Sequence, residues 1–250
     1  MLLNRCAEKL KCDGYEFMMY STWYEKLDEI RRFMTGFPFP VPVFHCEKGI
    51  GEAISRNEEG DTEEALQAFE INCALAREIG AQTLVLHLWS GIHSDKDIAH
   101  NIALYADLRK ISDRHGLTLT VENVVCNHED PMTHLRRLST AYPDIAFTFD
   151  TKMAEFHNQI SDLYPSDLIK NIKHLHINDY KGGYKDWVNL RTLNIGDGQI
   201  DFNSFFEFIY KNNYQGDYTI EATAFDRDGV IHFDTLNKSL QKLQDFIKNI

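Results

Sequence analysis

The chain has 250 residues, 43% of them hydrophobic and 26% charged, which excludes disorder, a collagen-like repeat or a coiled coil as the main architecture and provides for a sizeable core. Lys and Arg number 26 against 38 Asp and Glu, and the net charge of −12 repels phosphate backbones and anionic lipid, so nucleic acid is demoted as a partner. No run approaches the ~18 apolar residues that cross a bilayer, and the start lacks the basic-then-apolar layout of a signal peptide, so a cytoplasmic location away from membranes is expected.

In chain order, strand candidates rich in β-branched and aromatic residues open at Tyr15–Tyr20 and Val41–Cys46. The clearest helix follows at Thr62–Ile79, where Ala65, Phe69, Cys73, Ala76 and Ile79 form an i, i+3, i+4 apolar stripe and Gly80 marks the stop. Further strands are expected at Thr83–Leu88, Leu117–Asn123, Ile145–Asp150, Ile172–Asn178 and Asp217–Ala222. Helical stretches lie between and after them, at Asp97–Ser112, around Phe202–Lys211 and at Asp234–Ile247. No Pro/Gly/Ser linker or low-complexity block interrupts the alternation, which points to a single α/β domain over residues 1–250. Near-continuous apolar strands separated by helices favour a parallel sheet covered on both faces, and seven strands favour a barrel over an open sheet. The five cysteines, Cys6, Cys12, Cys46, Cys73 and Cys126, are scattered and form no CxxC pair, which argues against a disulfide framework and against structural zinc.

The polar residues fall in a telling place. His45, His87, Glu122, Asp150, His176 and Glu221 each sit at or near the C-terminal end of a different predicted strand. In a parallel barrel those ends share one face, so side chains distant in sequence converge. Two Glu, one Asp and three His suit a divalent ion such as zinc, manganese, cobalt or magnesium. Ionisable groups inside apolar strands are costly unless paired or metal-bound; hydrogen-bonded core polars are the competing reading.

The segments VENV (Val121–Val124), FTFD (Phe147–Asp150), HLHINDYKGG (His174–Gly183), NIGDGQID (Asn194–Asp201) and IEAT (Ile220–Thr223) resemble, in order, successive signatures of the xylose-isomerase-like TIM-barrel superfamily. That superfamily includes sugar-phosphate isomerases and epimerases and the endonuclease IV branch of DNA repair. The resemblance implies a TIM (β/α)8-type barrel in which Glu122, Asp150, His176 and Glu221 bind one catalytic divalent metal, with Glu122 and Glu221 also the acid/base pair on opposite faces of the substrate carbon. The chemistry needs both parts. A proton beside a carbonyl is weakly acidic, so a cation must polarise the oxygens while a carboxylate takes the proton.

The same resemblance marks His45 and His87 as residues that touch substrate or a second metal, Asp179 as an acceptor that orients a ligand, and Arg191 as a holder of a substrate hydroxyl, carboxylate or phosphate. Lys181 is a further candidate near the pocket mouth. His157 is a candidate to replace a substrate-touching histidine where this chain has Met153. Trp23, Trp89 and Trp187 are candidate walls of a sugar pocket. The bland alternatives are core histidines, loop-capping aspartates, surface ion pairs and core tryptophan.

The expected function is a divalent-metal-dependent isomerase or epimerase of a small sugar, sugar phosphate or keto-polyol, working through an enediolate. An abasic-site phosphodiesterase is the runner-up: Met153 and Leu190-Arg191-Thr192 depart from the pattern that would hold its third ion. A non-catalytic metal- or ligand-binding relative is the third reading, and a homo-oligomer is left open. Strand spacing makes Tyr15–Tyr20 the second strand of such a barrel. A seven-stranded barrel lacking its first strand is therefore expected, the chain opening in a helix at Leu2–Lys11.

Overall fold

Seven short strands lie in one sheet whose order follows the chain: β1 (Glu16–Met18), β2 (Val43–His45), β3 (Thr83–Leu86), β4 (Thr118–Glu122), β5 (Ala146–Asp150), β6 (Ile172–Ile177) and β7 (Asp217–Ile220). They are seen in a computed structural model that describes residues 2–221 and 230–248. The pairings β1–β2, β2–β3, β3–β4, β4–β5 and β6–β7 are parallel. Parallel neighbours cannot be joined by tight hairpins, so the chain crosses over through helices. These are α1 (Leu2–Lys9), α2 (Leu27–Thr35), α3 (Gly49–Arg56), α4 (Asp61–Glu78), α5 (Ile98–Arg114), α6 (Pro131–Ala141), α7 (Thr151–Phe156), α8 (Ile160–Leu163), α9 (Phe202–Lys211) and α10 (Phe233–Lys248).

Each expected strand is present, with β1 and β2 reduced to three residues each, and no strand precedes β1 among the described residues. The expected helix at Leu2–Lys11 is α1, two residues shorter. Five helices, α2, α3, α6, α7 and α8, lie where no periodic pattern was read. The nine residues of α2 bury only Met34, too little for a stripe. For α6 a signal existed: Pro131 stands at the first helical position and Asp130 caps it, accepting the Thr133 N–H at 2.8 Å. No helix among the described residues is long and apolar enough to cross a membrane.

Contacts divide the chain into two compact units, residues 13–148 and residues 1–12 with 149–250. In the first, α4 buries Ala65, Phe69, Cys73 and Ala76, and the sheet supplies Phe44, Leu84, Leu86, Val121 and Phe147. Gly80 ends that helix at φ +88°, a left-handed conformation that costs glycine little. A buried polar stitch crosses the sheet: the Thr120 hydroxyl donates to the Leu84 carbonyl at 2.7 Å and lies 2.6 Å from the Thr148 hydroxyl. Glu122 is opposite Thr148 in the β4–β5 register, so the stitch fixes the strand end that carries it.

In the second unit Phe149, Phe205 and Phe206 are buried, and Phe206 stacks on Phe246 of α10 at 4.8 Å between centroids. The start of the chain is tied to α10. The Asn237 amide donates to the Lys9 carbonyl at 2.9 Å and its oxygen accepts the Lys11 N–H at 3.0 Å.

Candidate active site

In the unit formed by residues 13–148, three strand-end side chains meet. His45 is the last residue of β2, His87 the first beyond β3's Leu86, and Glu122 the last of β4. All three are buried, and one ligand atom from each lies within 4.8 Å of the others. The His87 Nε2 is 2.7 Å and the His45 Nε2 3.4 Å from Glu122 Oε2. The His45 Nδ1 is 2.8 Å from the Cys46 carbonyl. A carbonyl only accepts, so Nδ1 carries a proton and Nε2 is the atom turned toward the carboxylate. A carbonyl on the second ring nitrogen is the usual support of a metal-binding histidine.

The position of His87 depends on Gly51 in α3. A Cβ built on Gly51 would stand 2.1 Å from the His87 carbonyl oxygen, closer than any packing allows. Replacing Gly51 by Ala must therefore push α3 and the β3 exit apart. We expect a loss of about 1–3 kcal/mol in urea unfolding, with weaker metal uptake; an unchanged midpoint would show that α3 yields freely.

Burial pushes the His87 imidazole down to about 4, with the Glu122 carboxylate opposing the shift. The unfolded chain, with His near 6.5, then binds more protons than the folded one between these values. Stability from this group is present above that window and is lost as pH falls through it. In chelator-treated protein, urea midpoints should drop between pH of about 6.5 and 4, and His87→Gln should flatten that part of the slope.

In the unit of residues 1–12 and 149–250, a second constellation forms. Asp150 ends β5, His176 lies one residue before the end of β6, and Glu221 follows β7. Asp150 serves two neighbours: Oδ1 accepts the Met153 N–H at 2.7 Å and caps α7, while Oδ2 accepts the Asn178 amide at 3.0 Å. The same amide donates to Glu221 Oε2 at 3.1 Å. The His176 Nδ1 stands 3.4 Å from Glu221 Oε1 and 3.9 Å from Asp150 Oδ2. Lys152, largely buried, places its ammonium 3.8 Å from Glu221 Oε2 and 3.1 Å from the Thr192 hydroxyl.

Asn178 and Lys152 were missed by the sequence reading. The first had a signal, because His174, His176 and Asn178 alternate along β6 and its exit and so share one face. Lys152 had none, since only the turn of α7 after Asp150 brings it to Glu221.

The other candidates are dispersed. Both carboxylate oxygens of Asp179 are engaged by backbone: Oδ1 accepts the N–H of Tyr180 at 2.8 Å and Ile200 at 3.1 Å, and Oδ2 those of Gly196 and Gly198, both at 2.9 Å. It fixes the NIGDGQID turn. Lys181 and Arg191 are exposed. His157 is buried at the end of α7, edge-on to Phe156 at 5.1 Å and to Tyr184 at 6.2 Å. Trp187 is half exposed against Phe156, and Trp23 packs on Phe17 and Tyr20. Trp89 is corrected from pocket wall to core: it is fully buried and its indole N–H donates to the Val124 carbonyl at 3.1 Å.

These donors are compatible with a divalent ion. Each constellation sets imidazole nitrogen 2.7–3.9 Å from carboxylate oxygens, a span that brackets the spacing of ligands around one cation, and Asp150 and Glu221 are held by amide or backbone donors.

The solved structures that resemble this chain agree on its fold. A D-tagatose 3-epimerase-like protein superposes with a TM-score of 0.73 at 19% identity, over 98% of this chain and 92% of that one. A 3-keto-D-glucoside 4-epimerase from E. coli, in its apo form, gives 0.71 at 18% identity over 97% and 92%. The IOLI protein, solved with a zinc atom, gives 0.69 at 13% identity over 99% and 91%. No curated protein sequence matches. The fold class is thus the TIM-type α/β barrel, seven of whose strands are described here. The family model of the xylose isomerase-like TIM barrel matches residues 5–250, and the chain belongs to that family.

Proposed function

We propose that the protein is a divalent-metal-dependent isomerase or epimerase of a small sugar, sugar phosphate or keto-polyol. The observation that carries this reading is the Asn178 amide, which donates to both Asp150 and Glu221 and fixes two carboxylates beside the His176 Nδ1. Two carboxylates held side by side against an imidazole are costly to build, and a divalent cation would supply the charge that offsets them. Family membership and the sugar epimerases of the same fold support the substrate class.

On this reading Glu122, Asp150, His176 and Glu221 hold the ion, whose identity among Mn, Zn, Co and Mg is left to measurement. When bound, the ion polarises the substrate's carbonyl and hydroxyl oxygens. The protein's own groups do the rest. Glu122 and Glu221 remove and return the proton on the substrate carbon, and Asn178 keeps the Glu221 carboxylate from rotating away. His45 and His87 bind substrate hydroxyls, and Lys152 lends positive charge where the enediolate gathers negative charge. His157, Lys181 and Arg191 are proposed for the more distant parts of the substrate, and Asp179 acts by shaping the loop between β6 and α9. Solvent-deuterium incorporation into a panel of sugars tests the reading. Metal-dependent exchange is expected with at least one of them, and no exchange with any would count against it.

A second reading rests on the His45–His87–Glu122 group, whose ligand atoms are close enough for an ion of their own. Two ions bridged by Glu122 would suit phosphodiester hydrolysis, and nicking of an abasic duplex, lost in Glu122→Gln, would favour it.

A further inference from the structure

The loops that leave β3 and β4 meet at another group of ligating side chains, which the proposed chemistry does not use. Asp95, Cys126 and His134 are buried, with His134 and Cys126 at 0% exposure and Asp95 at 3%. One ligand atom from each lies within 4.8 Å of the others. We propose that these three residues form a zinc site that clamps the loop after β3 to the loop after β4 and to α6.

Thiolate, imidazole and carboxylate are zinc's ordinary protein ligands, and the thiolate selects against magnesium and manganese. Charge supports occupancy as well. A thiolate and a carboxylate bring two negative charges and the imidazole none, so a bound divalent ion leaves the group neutral, as a water-excluded interior requires.

The ligands are also held in place. Asp95 Oδ1 accepts the N–H groups of Asn127 at 2.8 Å and His128 at 2.9 Å, and Oδ2 that of Glu129 at 2.7 Å. The Trp89 ring meets the His134 ring edge-on at 5.3 Å and sets its plane. Cys126 turns its thiol to the Val124 carbonyl at 3.6 Å, the same carbonyl that receives the Trp89 indole.

The His134 Nε2 lies 2.9 Å from Asp95 Oδ2, with one proton between them. Nitrogen and oxygen ligands at about 2.0–2.1 Å from tetrahedral zinc stand roughly 3.3 Å apart. Replacing that proton by the ion therefore opens the pair by only a few tenths of an ångström. The other nitrogen, Nδ1, makes no hydrogen bond and has the Glu129 carboxylate 3.6 Å away.

Cobalt(II) added to chelator-treated protein reads the site directly, because only a cysteine ligand gives a thiolate-to-cobalt charge-transfer band. A near-ultraviolet band that saturates at one ion per chain and is displaced by zinc is expected. It should vanish in Cys126→Ser and His134→Ala and survive in Cys46→Ser. No thiolate band in the wild type, a band that persists in Cys126→Ser, or one lost in Cys46→Ser would overturn the proposal. Should the variants fail to fold, mass-mapped alkylation of the wild-type chain replaces them: zinc should slow labelling of Cys126, and an unchanged rate would overturn the site. Glu122, Asp150, His176 and Glu221 include no sulfur, so cobalt taken up there gives no such band and the result does not depend on the proposed activity.

Discussion

Glu221→Gln is expected to lower metal-dependent deuterium exchange by about 10²–10⁴-fold, the range that a positioned acid or base contributes. The side chain is 25% exposed, so its replacement by an isosteric amide should leave the urea midpoint close to that of the wild type. The Asn178 amide still finds an oxygen at position 221, which keeps the neighbourhood in place. Glu122→Gln should lower exchange to a similar degree, but with a cost in stability. Glu122 is 1% exposed and its Oε2 lies 2.7 Å from the His87 Nε2, so its neutral analogue leaves a weaker partner for a buried imidazole. Exchange that survives in both variants would rule out the assigned acid/base pair, whatever metal the protein holds.

The second large effect concerns stability. Asp179→Ala removes the acceptor of four backbone N–H groups, those of Tyr180, Gly196, Gly198 and Ile200. A buried donor left without an acceptor costs about 1–3 kcal/mol. Some of the four gain water once the turn loosens, so the expected total is about 3–5 kcal/mol by urea unfolding. Asp179→Asn keeps one carbonyl oxygen and should fall between wild type and Asp179→Ala. Hydrogen exchange should then report faster opening across 194–200, and an equal loss in both variants would show that charge, not acceptor geometry, holds the turn. Because Thr192, the partner of Lys152, precedes this turn, the same change should weaken substrate binding before it alters the chemistry.

The strands and most long helices were legible because their signals are local. Alternating apolar and β-branched residues, an i, i+3, i+4 stripe in α4 and the glycine after it are properties of short windows, and short windows decide them. The strand-end acids and histidines were legible for a related reason: a charged residue that closes an apolar run has few explanations. Helices α2 and α7 were not legible, since a short crossover held by one capping side chain or a single buried residue leaves no periodic trace.

What the strand-end residues do to one another was decided by tertiary structure. Asp179 and Asn178 are neighbours in sequence of much the same chemical kind, yet one is consumed by a loop's backbone and the other bridges two carboxylates. Trp89 and Trp187 were equal candidates until burial put the first in the core and left the second half exposed. Cys126, dismissed by its spacing, lies against Asp95 and His134, more than thirty residues from Asp95 in sequence. Sequence by itself determined the α/β class, the strand order and the residue types at the strand ends, because backbone periodicity and the cost of burying charge act locally. Which of those side chains hold one another, and which are spent on loops, depended on hydrogen-bond geometry between distant segments, and that exists only once the chain is folded.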